Sequence, residues 1–376
     1  MSKIPLNRPS LVGNEMNYIL DAVQRGQLSG DGYYTQRCNA LIEELTQSPK
    51  ALVTHSCTAA LEMAAILCDL EPGDEVILPS FTFVSTANAI VLRGAVPVFV
   101  DIDPATLNID PACVEDAVTE RTKAIFAVHY ASFPAGTHDL ILVEDAAQAL
   151  GSTYKGRPAG SLGDLAAFSF HETKNVISGE GGALTVNKSS LMERAEIIRE
   201  KGTNRSRFIR GEVDKYTWVD IGSSYLPGEL ISSFLYAQLE VETDITKNRL
   251  SLFDRYHEAF TPLAEKGLLR LPVVPPHTTG NGHMFYLLME DAETRNELSS
   301  HMRENGVIAP FHYIPLHSAS AGRKFSRAHG DLAVTDKISD TLIRLPMFVD
   351  LGADIEMVID HVTDFFSQRP VSRTFS

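Results

Sequence analysis

The chain has 376 residues, 44% of them apolar and 22% charged, with a net charge of −15; this is a globular balance, and the length suits two packed domains. The acidity opposes a role on nucleic acid or on anionic membranes, and no apolar run approaches the roughly 18 residues that cross a bilayer. Met1–Leu20 lack the unbroken apolar stretch of a signal peptide, and Cys38, Cys57, Cys68 and Cys113 fall in no CxxC spacing, so a cytoplasmic protein with reduced thiols and no metal site is expected.

From about residue 50 to residue 190, strand-like and helix-like segments alternate. The stretch Thr54-His-Ser-Cys-Thr-Ala-Ala60 leads into a helix predicted over Cys57–Leu70. Ser56 or Thr58 can cap it, and its free N–H groups can cradle a phosphate, although capping alone is the commoner use. Strands are predicted at Glu75–Ser80, Val96–Ile102, Ala124–Tyr130, Leu140–Ala146, Ala166–Phe170 and Gly182–Asn187. Several are the continuous apolar runs of a sheet buried on both faces. Further helices are predicted over Val84–Arg93 and Leu191–Lys201. The alternation implies an α/β domain with a mainly parallel sheet.

One connection fits poorly. Ala131–Asp139 is shorter than a helical crossover and carries Pro134 and Gly136. Either an extended loop joins the two strands, or they are not simple neighbours. A helical stretch over Gly228–Phe260 follows, then a cluster of Pro and Gly from Pro272 to Gly282. Helices near Ala292–Glu304 and Ala353–Phe366 belong to a smaller α/β domain. The expected division is 1–245 for the large domain and 246–376 for the small one.

Three strand ends carry groups suited to chemistry, since ligands in open α/β sheets sit beyond the carboxyl ends of strands. Ser80-Phe-Thr-Phe-Val-Ser-Thr-Ala-Asn88 offers an aromatic to a flat ring, although core packing is the more usual use of Phe. Val143-Glu-Asp-Ala-Ala-Gln148 presents two acids, one of which can hold a protonated ring nitrogen, cap a helix or bind magnesium. Phe168-Ser-Phe-His-Glu-Thr-Lys-Asn175 puts Lys174 ahead of the glycine-rich Ser178–Gly182, where burial can make the amine a nucleophile. Each piece alone is weak. Together they supply what a pyridoxal phosphate (PLP) site requires, and no GxxxxGK[ST] loop points to a nucleoside triphosphate instead.

With these motifs, and with Gly30-Asp-Gly32 and Phe311-His-Tyr-Ile-Pro-Leu-His317, the sequence resembles the DegT/DnrJ/EryC1/StrS sugar aminotransferases. The resemblance implies a fold-type I PLP enzyme, with a mainly parallel seven-stranded sheet and a smaller C-terminal α/β domain. Lys174 would carry the cofactor and move the proton, and Asp145 would face the ring nitrogen. Gln148 would lie near the ring hydroxyl and Phe83 on the ring, with Thr58, Ala59 and Ser169 at the phosphate. The family shares its sites across a homodimer, with a partner Asn at the phosphate; here Ser224 stands in that place and Leu226 where an Arg is common. The shorter serine weakens that contact. Arg210, Lys215, Tyr216, His312, Tyr313 and His317 are the expected contacts to a nucleotide sugar. The implied reaction moves an amine from L-glutamate to carbon 4 of a dTDP-4-keto-6-deoxy sugar. Amination at carbon 3, or the epimeric product at carbon 4, is the near alternative. A PLP-dependent sugar dehydratase is disfavoured, because such relatives replace the lysine with His. Relatives carry a helix where Ala131–Asp139 is short, so lower stability is expected with the site intact.

Overall fold

The computed structural model describes residues 3–130 and 140–367. The large sheet and its cover run in chain order as α1 (Glu15–Arg25), α2 (Tyr33–Thr46), β1 (Ala51–Thr54), α3 (Cys57–Leu67), β2 (Glu75–Pro79), α4 (Val84–Val91), β3 (Val96–Val100), β4 (Thr122–Val128), β5 (Ile141–Asp145), β6 (Leu165–Ser169), β7 (Gly182–Val186), α5 (Ser189–Arg199) and α6 (Glu229–Leu239). The strands lie in the order β1-β7-β6-β5-β4-β2-β3, with the two-residue strand Arg327–Ala328 added beside β3. Seven strands were expected, and this short segment makes an eighth. The pairs from β6 through β5, β4 and β2 to β3 are parallel, and β7 is antiparallel to both neighbours.

The sheet is covered on both sides, which is why its strands read as unbroken apolar runs. Leu165 and Ala167 of β6 face a core that includes α3 and α5, while Ala166 and Phe168 face one that includes α2 and α6. β4 and β5 pair as parallel neighbours, against the reading in which the two strands are not simple neighbours. Residues 131–139 themselves lie outside the described residues.

A second core forms around α7 (Glu242–Glu265), the antiparallel strands β8 (Phe285–Leu288) and β9 (Leu342–Leu345), α8 (Ala292–Glu304) and α9 (Asp354–Ser367). Tyr256, Phe260, Phe285, Met302 and Val362 lie at its centre, and Ile4 from the start of the chain packs there too. Helix α7 spans both cores: Ile245 packs with the large sheet and Leu252 with the smaller unit. Arg249 between them is buried and donates to the carbonyls of Gly282, His283 and Met347, and burial brings its guanidinium down to about 10.

Candidate active site

The carboxyl ends of β5 and β6, the first turns of α3 and α4, and the loop after β6 surround a cavity of about 620 Å³. Each element delivers one kind of group. Ser56 caps α3, its Oγ accepting from Ala59 N at 3.1 Å, which sets the helix start toward the cavity, where its partial positive charge suits an anion. Thr58 on that turn shares a 2.8 Å hydrogen bond with Ser85 of α4, and Ser169 closes the same region from the end of β6. Gly182 opens β7 directly beneath: a Cβ there would come 2.3 Å from the Ser56 carbonyl carbon. Glycine is what lets the sheet approach the helix start so closely.

Alternation along β5 separates its two acids. Asp145 lines the cavity, where Thr86 Oγ1 donates to its Oδ2 at 2.6 Å and Ala147 N donates to its Oδ1. Glu144, fully buried on the other side, accepts from the N–H groups of Gly160, Leu162 and Gly163 and pairs with His129 at 2.7 Å. Burial works to raise the Glu144 carboxyl, but His129 and the N–H donors hold it below the ordinary range.

Lys174 sits in the turn after β6, with its side chain in the cavity. Burial lowers its ammonium from the ordinary lysine value; nearby Cys57 and Asp145 act against this, and Arg344 acts with it. Phe83, 58% exposed, stands at the N-terminal edge of α4 on the cavity wall, open to stack on a flat ligand. From the smaller unit come His283, His312, Tyr313 and Arg344. Gln148 Nε2 donates to Tyr313 OH at 2.9 Å, and His312 Nδ1 shares a 2.6 Å bond with Tyr130 OH. Burial, with Arg344 and Lys174 nearby, holds His312 well below its usual range.

Thr58, Phe83, Asp145, Gln148, Ser169, Lys174, His312 and Tyr313, all expected at the site, thus share one cavity. Ala59 lies behind the first turn of α3, its N–H taken by the Ser56 cap. His317 is tied to Ser80 through its ring and its backbone N–H, outside the cavity wall. Ser224, Lys215 and Tyr216 are exposed on the surface, and Arg210 is held there by Glu196 and Glu212, outside the cavity of the single chain. Thr86, Arg344 and His283 were not expected. Thr86 lies one turn beyond Phe83, in a stretch noted for its aromatic residues. Arg344 interrupts the apolar run Leu342–Met347, and that lone cation is a signal the sequence offered.

The donor set fits PLP: hydroxyls and a helix start for its phosphate, an open aromatic for its ring, a buried carboxylate, and a buried amine. Residues 9–363 match the DegT/DnrJ/EryC1/StrS aminotransferase family. The spore coat polysaccharide biosynthesis protein SpsC of Bacillus subtilis is 32% identical, over 96% of this chain and 96% of its own. GDP-perosamine synthase of Caulobacter vibrioides is 30% identical, over 96% of this chain and 97% of its own. Spr1654 from Streptococcus pneumoniae, solved in its PLP form, superposes with a TM-score of 0.87 at 25% identity, covering 99% of this chain and 100% of its own.

Proposed function

The chain belongs to the DegT/DnrJ/EryC1/StrS aminotransferase family and is a PLP-dependent sugar aminotransferase, and from that premise we propose that it moves the amine of L-glutamate to carbon 4 of dTDP-4-keto-6-deoxy-D-glucose, giving dTDP-4-amino-4,6-dideoxy-D-galactose. The observation that supports the chemistry is the single cavity holding Asp145, Lys174 and the α3 start. Three ungapped stretches favour the substrate: Phe170-His-Glu-Thr-Lys-Asn175, Arg199-Glu-Lys-Gly-Thr-Asn-Arg-Ser206 and Val213-Asp-Lys-Tyr-Thr-Trp218. They resemble the dTDP-4-amino-4,6-dideoxygalactose transaminase of enterobacterial common antigen synthesis. A cytoplasmic role in making a surface polysaccharide follows from that reading, in keeping with the absence, among the described residues, of a helix long and apolar enough to cross a membrane.

When bound, PLP supplies the electron sink that stabilises negative charge on the donor's α-carbon. The chain's own residues do the rest. Lys174 would hold the cofactor through Nζ and move a proton to and from the reacting carbon, a task that the lowering of its ammonium by burial favours. Asp145, fixed by Thr86 and Ala147 N–H, would face the ring nitrogen. Thr58 and Ser169, with the start of α3, would hold the phosphate, and Phe83 would cover the ring. Gln148, anchored on Tyr313, would lie near the ring hydroxyl. We further take the working unit to be a homodimer in which Ser224, Arg210, Lys215 and Tyr216 serve the neighbouring protomer's site.

Incubation with PLP, glutamate and the dTDP keto sugar, followed by NMR of the sugar, tests the proposal. The expected product carries an axial amine at carbon 4. A second reading, a GDP-linked 4-keto-6-deoxy sugar, has the Caulobacter relative in its favour. The two sugars offered in competition separate them: preference for the GDP sugar, or an amine at carbon 3, rejects the first.

A further inference from the structure

Apart from Lys174, one permanent cation among the described residues lines the cavity: Arg344, on β9 of the smaller unit. The groups that bear on it electrostatically are the phenols of Tyr130 and Tyr313 rather than acids. His312, Tyr313 and Met347 flank it on the cavity wall, and among the described residues no carboxylate lies within ion-pair distance of it. The side chain is nonetheless held in place. Its Nε and Nη2 both donate to the carbonyl of Phe311, at 3.2 and 2.9 Å, while its own backbone N–H is bonded to Pro310. That clamp uses one edge of the guanidinium and fixes its plane. The Nη1–Nη2 edge is left over, and a planar two-pronged donor of this kind matches a carboxylate.

A half-buried cation without a counter-charge is costly unless an anion arrives to meet it. The anions of this reaction are the cofactor phosphate, the donor's carboxylates and the sugar's diphosphate. The phosphate has hydroxyls and a helix start on the opposite, large-sheet side of the cavity. Arg344 is close enough to Lys174 to depress its protonation, which is where the donor's α-carbon must come, and an α-carboxylate is bonded to that carbon. A diphosphate two bonds or more beyond the far side of a sugar ring has no such reason to lie there.

We propose that Arg344 is the residue that binds the α-carboxylate of the amino donor. It thereby orients the bond to be broken at the α-carbon and excludes amines that lack that group. This rests on the aminotransferase assignment with glutamate as donor.

The two half-reactions can be followed separately through the cofactor's absorbance in single turnovers of the holoenzyme. Arg344→Gln should weaken the apparent affinity for glutamate at least thirtyfold, and Arg344→Lys should recover part of it. Conversion driven from the other side, by the amino sugar, should change less than threefold in both. Wild-type protein should respond to glutamate and far less, by a hundredfold or more, to 4-aminobutyrate, which keeps the distal carboxylate but lacks the α one. Unchanged glutamate affinity in Arg344→Gln overturns the assignment. So does an equal loss in both half-reactions, which would point to the diphosphate or to general damage, and so does a wild-type protein that takes 4-aminobutyrate as readily as glutamate. That last arm needs no variant and decides the matter even if Arg344→Gln does not fold. A wild-type protein that is silent to glutamate but active with another donor rejects the glutamate reading, and the inference with it.

Discussion

Lys174 and Asp145 act through what surrounds them. A free amine is needed to capture PLP, and burial lowers Lys174 from the ordinary lysine value of about 10.4. Capture by the cofactor-free protein should therefore be efficient at mildly alkaline pH and fall as pH drops through that lowered value. A rate-against-pH curve read from the cofactor's absorbance checks this, and an inflection at or above the ordinary lysine value rejects the burial argument. Lys174→Ala should abolish that absorbance and cut turnover by at least about a thousandfold, because it removes both covalent attachment and proton transfer. Thr86 makes a subtler case. Its hydroxyl donates to the carboxylate of Asp145, and a hydrogen bond to a charged group contributes about 1.5–3 kcal/mol. Thr86→Val should leave PLP bound but lower kcat roughly tenfold to a hundredfold, with the cofactor's spectrum shifted. An unaltered spectrum and kcat would remove Thr86 from the positioning of Asp145.

At the level of elements, the site is built where strands stop and helices begin, and this decided how much could be read in advance. Asp145 ends a strand, and Lys174 and Phe83 follow one within a few residues, so a local apolar-to-polar transition is enough to single them out. The alternation on β5 that sends Asp145 to the cavity and Glu144 away is also local, but the partners of Glu144 lie in the loop 160–163 and at His129, which only tertiary folding assembles. Arg344 and His283 arrive from the smaller unit, more than a hundred residues beyond Lys174 in the chain, and nothing local ties them to it. Helices α1 and α2 lie ahead of the strand–helix alternation that begins near residue 50, so that alternation does not reveal them. Two substitutions probe the scaffold. Glu144→Ala strands three N–H donors, that of Gly160 buried and those of Leu162 and Gly163 half-buried; a buried donor costs about 1–3 kcal/mol when unmet, and the denaturant midpoint should fall. Because the Glu144 carboxyl is held below its ordinary range, its contribution is present at neutral pH and is lost as pH falls through the lowered folded value. Gly182→Ala forces a methyl against the backbone of Ser56 and Cys57; a loss of about 1–3 kcal/mol is expected, together with weaker PLP binding measured by cofactor titration.

At the scale of the whole molecule, exposed apolar surface calls for a cover. Met16, Leu20 and Val23 stand one helical turn apart along a single stripe of α1, at 69%, 58% and 50% exposure, and Trp218 is 79% exposed near the expected substrate contacts. A folded monomer of this acidity has no reason to spend large side chains on solvent in a row. The same region of sequence holds Arg210, Lys215, Tyr216 and Ser224, none of which reaches the cavity of its own chain. Both facts are explained together if two copies pair about a twofold axis, each burying the other's stripe and lending its loop to the other's cavity. A stable pairing needs roughly 800 Å² from each partner, to which the stripe of the eleven-residue α1 and the segment around Trp218 would both contribute. Light scattering should then give a mass near twice the 41.3 kDa of the chain. Leu20→Glu should shift the population toward the single chain and lose activity with it, although Leu20 touches no part of the cavity wall. A Leu20→Glu protein that runs as a monomer yet turns over at the normal rate would show that one chain is sufficient, and the four surface residues would have to be withdrawn from the site.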